Sequence, residues 1–197
     1  MLILGSASPR RAALLREMRV PFAVDASDVP EQPAPGEAPG AFARRAAIDK
    51  GWAVSRRHAG AWVLAADTVV ALDGDILGKP ADHADARRML RLLSGRGHAV
   101  LTAVALFAPD RGCADTAVVR TAVTFRPLAD AEIDAYVAGG EPADKAGAYA
   151  IQGGAAGFVT AVRGSYSNVV GLPVEELRAM LVRHRLLDGA EAPVAAR

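Results

Sequence analysis

The chain contains 197 residues, 51% of them hydrophobic, which is enough length and apolar content for a sizeable buried core. Its 23 Lys and Arg residues are balanced by 22 Asp and Glu residues, so no overall charge would hold the protein on nucleic acid or on an anionic membrane. We therefore expect neither partner, and any anion-binding site must be local.

The single cysteine and the first residues indicate the compartment. Cys113 is the only cysteine, which excludes an internal disulfide and a multi-cysteine zinc site and fits a reducing environment. The apolar run at the N-terminus ends after Leu4, far short of a signal peptide or a membrane span. These features predict a cytoplasmic protein.

The N-terminal third begins with a strand, a loop and a helix. Leu2-Ile3-Leu4 is a short apolar run that suits a buried strand, and Ser8 is placed to cap the helix that follows the loop. The Pro-rich stretch 30–37 predicts a surface loop. Pro39–His58 then predicts a helix, and this helix carries Lys50.

The middle of the chain predicts strands and one short helix. Trp62–Ala66 reads as a buried strand that Asp67 and Thr68 end or interrupt. Val69–Leu72 continues towards a turn at Asp73-Gly74, as in a hairpin. The other predicted elements here are a helix at Ala84–Leu93 and strands at His98–Phe107 and Val118–Phe125.

The C-terminal third alternates glycine-rich loops with short elements. Asp130–Val137 predicts a helix, Phe158–Val162 a strand between two loops, and Pro173–Arg185 the final helix. The tail 188–197 is predicted to be disordered and without function. The mixture of strands and helices places the chain among α/β proteins.

The turn Ser8-Pro9-Arg10-Arg11 is the first candidate site. Two guanidinium groups stand beside backbone N–H groups at a helix start, directly after an apolar strand. The positive end of the helix dipole and its unpaired donors suit phosphate oxygens, and Arg10 and Arg11 can add bidentate hydrogen bonds. The alternative is an arginine pair on a solvated helix face.

Asp67 is the second candidate, since it follows an apolar strand and is flanked by small residues. A buried carboxylate without a partner is costly, so we expect a metal ion, a Lys or Arg side chain, or backbone donors beside it. The alternative is that Asp67 caps a turn.

Three lysines and one glutamine complete the candidates. Lys50, Lys79 and Lys145 are surface residues by default. Lys79 is the expected exception, because it stands between Gly and Pro just after the hairpin that carries Asp67. Gln152 precedes two glycines, where a side-chain amide can read a base edge at close range, although an ordinary turn is the alternative.

Several familiar catalytic motifs are missing. The sequence contains no G-x-x-x-x-G-K-[ST] loop, no G-x-G-x-x-G after a strand, no H-E-x-x-H and no G-x-S-x-G. Kinase, P-loop, dinucleotide oxidoreductase, zincin and serine hydrolase interpretations therefore lose their main support. The four histidines also lack close ligand spacing.

Taken in order, the motifs resemble those of the Maf family of nucleotide pyrophosphatases. The resemblance runs from Leu2 to about Leu181. The matching segments are Ser6–Arg11 for S-x-S-P-R-R, Ala66–Val69 for A-D-T-V, Gly78–Pro80 for G-K-P, Asp144–Tyr149 for D-K-A-G-A-Y, and Gly164–Pro173 for G-S-Y-x-x-V-x-G-L-P.

The resemblance implies a fold and an activity. The implied fold is a mixed twisted sheet with flanking helices and two lobes around a central cleft, as in inosine triphosphate pyrophosphatases, formed by one catalytic domain over residues 1–187. The implied reaction is hydrolysis of a nucleoside triphosphate to the monophosphate and pyrophosphate with Mg²⁺ or Mn²⁺. Tyr149–Gly153 resembles the branch that acts on dTTP and UTP, and the family suggests a homodimer.

The resemblance also assigns roles to matching residues. It implies that Asp67 is the catalytic proton acceptor and that Arg10 or Arg11, Thr68 and Gln152 bear on substrate choice. It also matches Glu31, Lys50 and Lys79 to polar positions that line the family's cleft. From the physical needs of triphosphate hydrolysis we expect metal binding by Glu31 with Asp67, and phosphate binding by Ser8, Arg10, Arg11, Lys50 and Lys79. Whether Asp67 takes the proton itself or only holds the metal stays open.

Other functions remain alternatives at this point. The substrate could be 7-methyl-GTP, another non-standard nucleotide or a modified pyrimidine nucleotide. The chain could instead be a nucleotide-binding regulator of septum formation, or an α/β interaction module with chance motifs. A nucleotide panel and the Asp67→Asn variant separate these alternatives.

Overall fold

The computed structural model describes residues 1–109 and 111–188, which form a seven-stranded sheet flanked by six α-helices. The strands are β1 (Leu2–Leu4), β2 (Phe22–Val24), β3 (Trp62–Leu72), β4 (Asp75–Leu77), β5 (Gly97–Ala108), β6 (Gly112–Phe125) and β7 (Val159–Arg163). The helices are α1 (Pro9–Glu17), α2 (Pro39–Ser55), α3 (His83–Leu93), α4 (Asp130–Ala138), α5 (Tyr166–Val170) and α6 (Val174–Arg183). Within the described ranges, no helix has the length and apolar character needed to cross a membrane.

The sheet is mixed, as the sequence predicts. Its strand order is β2-β1-β3-β5-β6-β7, and β4 pairs with the end of β3 in a hairpin. β1 lies parallel to β2 and to β3, whereas β3, β5, β6 and β7 pair in antiparallel fashion. The prediction of a mixed α/β sheet with flanking helices is therefore confirmed.

The predicted break in β3 is wrong. β3 runs without interruption from Trp62 to Leu72, and Asp67 and Thr68 pair with Ala103 and Thr102 on β5. No Gly or Pro stands within this strand, and the two polar side chains find partners on opposite faces of the sheet, so nothing forces the backbone out of the ladder.

The other predicted elements are present, with boundaries that differ by a few residues. β6 begins six residues before its predicted start at Val118, and helix α2 ends at Ser55 rather than at His58. Strand β2 and helix α5 are elements that the sequence interpretation missed. In the predicted disordered tail 188–197, only Asp188 lies within the described residues.

Helix α2 packs very closely on one face of the sheet. Its buried face consists largely of small residues, including Ala43 and Ala47, and it lies against Val63, Val69 and Phe107. A Cβ atom on Gly51 would come within 2.1 Å of the Phe107 ring, so only glycine allows this approach. The same approach brings the neighbouring Lys50 within reach of the middle of β3.

The opposite face is covered by helices α1 and α6. Leu15 from α1 and Leu177 from α6 are fully buried against Leu4, Leu64 and Leu106 of the sheet. Each buried leucine contributes about 2 kcal/mol of hydrophobic stabilisation. Both helices are thereby held on the face that receives Thr68 rather than Asp67.

His98 is a titratable group buried in the core. Its Nε2 lies 2.8 Å from the Tyr149 hydroxyl, its ring packs edge-on against Phe125, and its Nδ1 has no hydrogen-bond partner among the described residues. Burial lowers the pKa of His98 from 6.5 to about 4. The unfolded chain therefore binds a proton at His98 below about pH 6.5, whereas the folded protein does so only below about pH 4.

This difference predicts acid sensitivity. The free energy of unfolding should fall as the pH drops from 6.5 to 4, and His98 should account for about 3 kcal/mol of that fall. His98→Gln should show a shallower decline in urea-unfolding experiments across this range, whereas the exposed His83→Gln should decline as the wild type does. Equal slopes for His98→Gln and the wild type would contradict the assignment.

Candidate active site

A cavity of about 850 Å³ opens between the first turn of the chain, the Pro-rich loop, the middle of β3 and the segment around Gln152. All nine residues that the sequence singled out as site residues line it, namely Ser8, Arg10, Arg11, Glu31, Lys50, Asp67, Thr68, Lys79 and Gln152. The structure thus brings them together, while their individual roles stay predictions.

The N-terminus of α1 forms one wall of the cavity. Ser8 caps the helix, its hydroxyl accepting a hydrogen bond from the Arg11 amide over 3.4 Å, and Pro9 occupies the first turn. The predicted cap is therefore confirmed. Arg10 follows directly and is partly exposed in the cavity, so its guanidinium stands where the helix dipole also favours an anion.

Arg11 differs from Arg10 because most of its donors are occupied. Its guanidinium donates to the backbone oxygens of Gly171 (2.8 Å) and Ala66 (2.9 Å) and to the hydroxyls of Ser6 (3.0 Å) and Thr68 (3.0 Å). Burial lowers the pKa of Arg11, and the nearby carboxylates oppose that effect. Arg11 therefore ties α1 to β3 and to the loop before α6, and adds a fixed positive charge to the cavity.

Asp67 and Thr68 project to opposite faces of β3 because successive strand residues alternate in direction. Asp67 faces α2, where it meets Lys50, and Thr68 faces α1, where it meets Arg11. The Thr68 hydroxyl also lies 2.9 Å from the Thr102 hydroxyl. Two neighbouring residues of one strand thus fasten the two basic walls of the cavity.

Alternating charges run from the buried end of the site to its surface. Nζ of Lys50 lies 2.6 Å from Oδ1 of Asp67 and 2.6 Å from Oε1 of Glu31, and Lys79 donates to the other Glu31 oxygen over 3.0 Å. We call Asp67, Lys50, Glu31 and Lys79 the charge ladder. Burial opposes the charge of Glu31, but hydrogen bonds from Lys50 and Lys79 outweigh it and lower the pKa of Glu31.

The prediction that Lys79 is the exceptional lysine is wrong. The Lys50 side chain is only 8% exposed, whereas that of Lys79 is 55% exposed. Lys145 is also largely covered, at 13% exposure, and its ammonium contacts Asp144 and the Glu141 carbonyl. The close packing of α2, which the sequence pattern did not reveal, is what buries Lys50.

The cavity has the electrostatics of an anion site. Its lining includes five basic side chains and three acidic ones, a net charge of +2, while the whole chain carries only +1. Positive charge is thus concentrated at the cavity. Because the overall charge is balanced, an anion-binding site needs such a local excess. The acidic members at its buried end, Glu31 and Asp67, are ion-paired with Lys50.

Gln152 is a further polar residue in the cavity lining. It lies in the turn before residues 154–158, and its side chain is exposed. Within the described residues, no hydrogen bond reaches the side-chain amide of Gln152. The amide is therefore available to a ligand, as the sequence interpretation expects of a base-reading group.

Two residues near the site escaped the sequence interpretation. Tyr136 in α4 and Glu141 after it hydrogen-bond the backbone on both sides of Gln152. Neither lies in a recognised motif, and only the tertiary structure brings them to this loop. The glycines after Gln152 were the one available signal, since they mark a place where another group approaches the backbone closely.

The fold and the site define an α/β protein with a basic cavity sized for a nucleotide. A HAM1 protein from Coxiella burnetii has a similar fold, with a TM-score of 0.51 and 17% sequence identity, covering 92% of this chain and 98% of that one. This likeness shows the fold alone.

Sequence comparison identifies the family. The model of the family described as "Maf-like protein" matches residues 1–184. A protein named dTTP/UTP pyrophosphatase in Geobacter metallireducens is 55% identical over 183 residues, covering 91% of this chain and 95% of the relative. A protein of the same name in Myxococcus xanthus is 52% identical over 183 residues, covering 93% of this chain and 92% of the relative. The chain belongs to the Maf family.

Proposed function

We propose that the protein hydrolyses dTTP and UTP to the monophosphate and pyrophosphate. The support is twofold. The relatives that match nearly the whole chain at 55% and 52% identity carry the name dTTP/UTP pyrophosphatase, and the cavity holds a buried carboxylate beside a concentration of cations.

The charge ladder is the observation that carries the proposal. A nucleoside triphosphate has about four negative charges at neutral pH, and attack on phosphorus requires cations that offset them together with an acceptor for the water proton. In the ladder, Lys50 holds the Asp67 carboxylate ready at 2.6 Å, and Lys79 stands at the open end. One row of side chains thus supplies both requirements.

The basic turn would hold the triphosphate chain. The Arg10 guanidinium and the Arg10 backbone N–H would bind phosphate oxygens, since Pro9 has no N–H and the Ser8 and Arg11 amides donate to the hydroxyls of Ser6 and Ser8. The Ser8 hydroxyl could donate a further hydrogen bond. Arg11 would contribute charge and its remaining donor, since its other donors hold the cavity walls. Lys79, the most exposed member of the ladder, would turn from Glu31 to the phosphates.

Asp67 would take the proton from the attacking water. The water oxygen bonds to the α-phosphorus, the bond from that phosphorus to the bridging oxygen breaks, and pyrophosphate leaves with the bridging oxygen. The ion pair with Lys50 keeps Asp67 oriented towards this role. Its place in the centre of a fully paired strand limits movement during the reaction.

A divalent cation, Mg²⁺ or Mn²⁺, fits the carboxylates at this site. Glu31 and Asp67 lie beside each other, since an oxygen of each is 2.6 Å from the Lys50 ammonium, and hard cations prefer such oxygen ligands. A cation held by both carboxylates would compete with that ammonium for their oxygens. The lowered pKa of Glu31 keeps it ionised, as a ligand must be. No described residues form a group of three acidic, His or Cys ligands, so phosphate oxygens and water would complete the shell. A bound cation would offset charge on the phosphates and acidify water.

Gln152 would select the base. Its exposed amide offers both a donor and an acceptor, which suits the carbonyl and N–H groups on the edge of thymine or uracil. Thr68 would act on substrate choice through Arg11, because its hydroxyl accepts from that guanidinium. If the protein preferred 7-methyl-GTP or a modified pyrimidine nucleotide, the same pocket would bind that other base.

A nucleotide panel tests the proposal. With Mg²⁺ or Mn²⁺ the protein should release pyrophosphate and the monophosphate from dTTP and UTP much faster than from dATP, dGTP or 7-methyl-GTP. Chelation by EDTA should abolish release, and added Mg²⁺ should restore it. Orthophosphate as the first product would contradict cleavage between the α- and β-phosphates, and no turnover of any nucleotide would favour a binding regulator or an interaction module.

We also propose a cytoplasmic homodimer. The one cysteine, Cys113, is free and exposed, which suits a reducing compartment. Light scattering of the purified protein should give twice the monomer mass of 20.4 kDa. A monomer mass across the working concentration range would contradict the dimer.

A further inference from the structure

Two side chains outside the cavity hold the segment that carries Gln152. The Ala150 amide donates to the Tyr136 hydroxyl over 3.1 Å, and the Gly154 amide donates to Oε2 of Glu141 over 3.0 Å. Tyr136 in turn donates to Oε1 of Glu141 over 2.8 Å. Both ends of the segment Ala150–Gly154 are thus fastened to one connected pair.

The pair also packs tightly against the same backbone. A Cβ atom on Gly153 would lie 2.2 Å from Oε1 of Glu141, and one on Gly154 would lie 3.1 Å from the Tyr136 ring. Gly153 thus leaves the space that the Glu141 carboxylate occupies, and Gly154 allows the close approach of the Tyr136 ring. The Tyr136 ring is itself fixed by an edge-on contact with Phe158, at 5.2 Å between ring centroids.

Neither side chain lines the cavity, whereas Gln152 does. Burial and the hydrogen bond with Glu141 help raise the pKa of Tyr136, so its hydroxyl keeps its proton at neutral pH and can donate to Glu141. The Glu141 carboxylate accepts from a hydroxyl and a backbone amide at once, which fixes its own orientation. This arrangement can hold the Gln152 amide in place without contacting a ligand.

We infer that Tyr136 and Glu141 are positioning residues that set base selectivity by fixing the Ala150–Gly154 segment, and hence the amide of Gln152, against the nucleotide base. The inference rests on the proposed function. It assigns to these two residues an effect on the choice between bases that a general role in folding would not produce. The effect arises because discrimination by hydrogen bonds depends on the placement of the reading group.

The test compares selectivity between nucleotides. Glu141→Ala and Tyr136→Phe should each lower the ratio of kcat/KM for dTTP to that for dATP by about tenfold, mainly through a higher KM for dTTP. Glu141→Gln should retain most of the wild-type ratio, because its amide oxygen can still accept from Gly154. If Glu141→Ala does not fold, Tyr136→Phe carries the same prediction.

A matched control separates positioning from stability. Glu132 lies at the other end of α4, where its carboxylate accepts from the Ala129 amide and pairs with Arg126, and it does not line the cavity. Glu132→Ala should lower the melting temperature but leave the dTTP/dATP ratio unchanged. A double-mutant cycle adds the link to Gln152: once Gln152→Ala has lowered the ratio, Glu141→Ala should lower it no further.

Three outcomes would overturn the inference. They are an unchanged ratio in both Glu141→Ala and Tyr136→Phe, equal losses with every nucleotide, and independent effects of Glu141→Ala and Gln152→Ala. Failure of the proposed function has a different signature, since the wild-type protein would then release no pyrophosphate from dTTP.

Discussion

Replacement of Asp67 by asparagine is expected to lower kcat for dTTP hydrolysis by about 10³-fold. Asparagine keeps the size of the side chain and an oxygen that can accept from Lys50, so the strand and the cavity should persist. It cannot take a proton from water and is a poor ligand for a divalent cation. Steady-state release of pyrophosphate measures the loss, and calorimetric titration with a non-hydrolysable dTTP analogue should show that nucleotide binding survives.

Asp75→Asn is the matched control for this change. Asp75 lies on β4, is exposed and does not line the cavity, so its replacement should leave kcat within about twofold of the wild type. Turnover of Asp67→Asn at the wild-type rate would refute the catalytic assignment. Loss of both turnover and folding would show that the Asp67 charge is needed first for structure.

Replacement of Lys50 by methionine is expected to affect both activity and stability. The change removes the ammonium that lies between two carboxylates, one of which is only 5% exposed. Losing one partner of a buried ion pair costs about 3–5 kcal/mol of unfolding free energy, and kcat/KM for dTTP should fall by about 10²-fold because Asp67 loses its orienting partner. Urea unfolding and pyrophosphate release measure the two effects.

Lys79→Met serves as the comparison, since Lys79 is the exposed end of the same charge ladder. It should cost less than about 1 kcal/mol of stability, as exposed ion pairs do, while weakening dTTP binding. Mg²⁺ should raise the melting temperature of Lys50→Met more than that of the wild type, because Glu31 and Asp67 then lack the competing ammonium. Equal stability of the two lysine variants would contradict the buried ion pair, and an equal Mg²⁺ effect would contradict a metal site at these carboxylates.

Much of the fold follows from local patterns in the sequence. Ser8 before Pro9 marks the start of α1, and the alternation of apolar runs with turn residues marks β5 and the hairpin of β3 and β4. Local patterns failed to predict the extent of a strand where pairing with a distant strand determines it. β3 continues through Asp67 because both the residues before and those after it pair with β5, and that pairing is not visible within the strand itself.

The candidate site was also only partly predictable. The ordered motifs selected residues that line one cavity, and most of these residues stand beside turn-forming or small residues that give a local signature. The partners of these residues required the structure. Lys50 is buried because Gly51 lets α2 approach Phe107. The guanidinium of Arg11 donates a hydrogen bond to the carbonyl oxygen of Gly171, which lies 160 positions away in the chain. Contacts of this kind depend on packing between distant segments, for which a single sequence carries no direct signal.

The central claim is that Asp67 and its cationic surroundings direct water to the α-phosphorus of a pyrimidine nucleoside triphosphate. Hydrolysis of dTTP in H₂¹⁸O tests it most directly, with the products of a single turnover analysed by mass spectrometry. The account predicts one ¹⁸O atom in dTMP and none in pyrophosphate. Label in pyrophosphate, or orthophosphate as the first product, would contradict it.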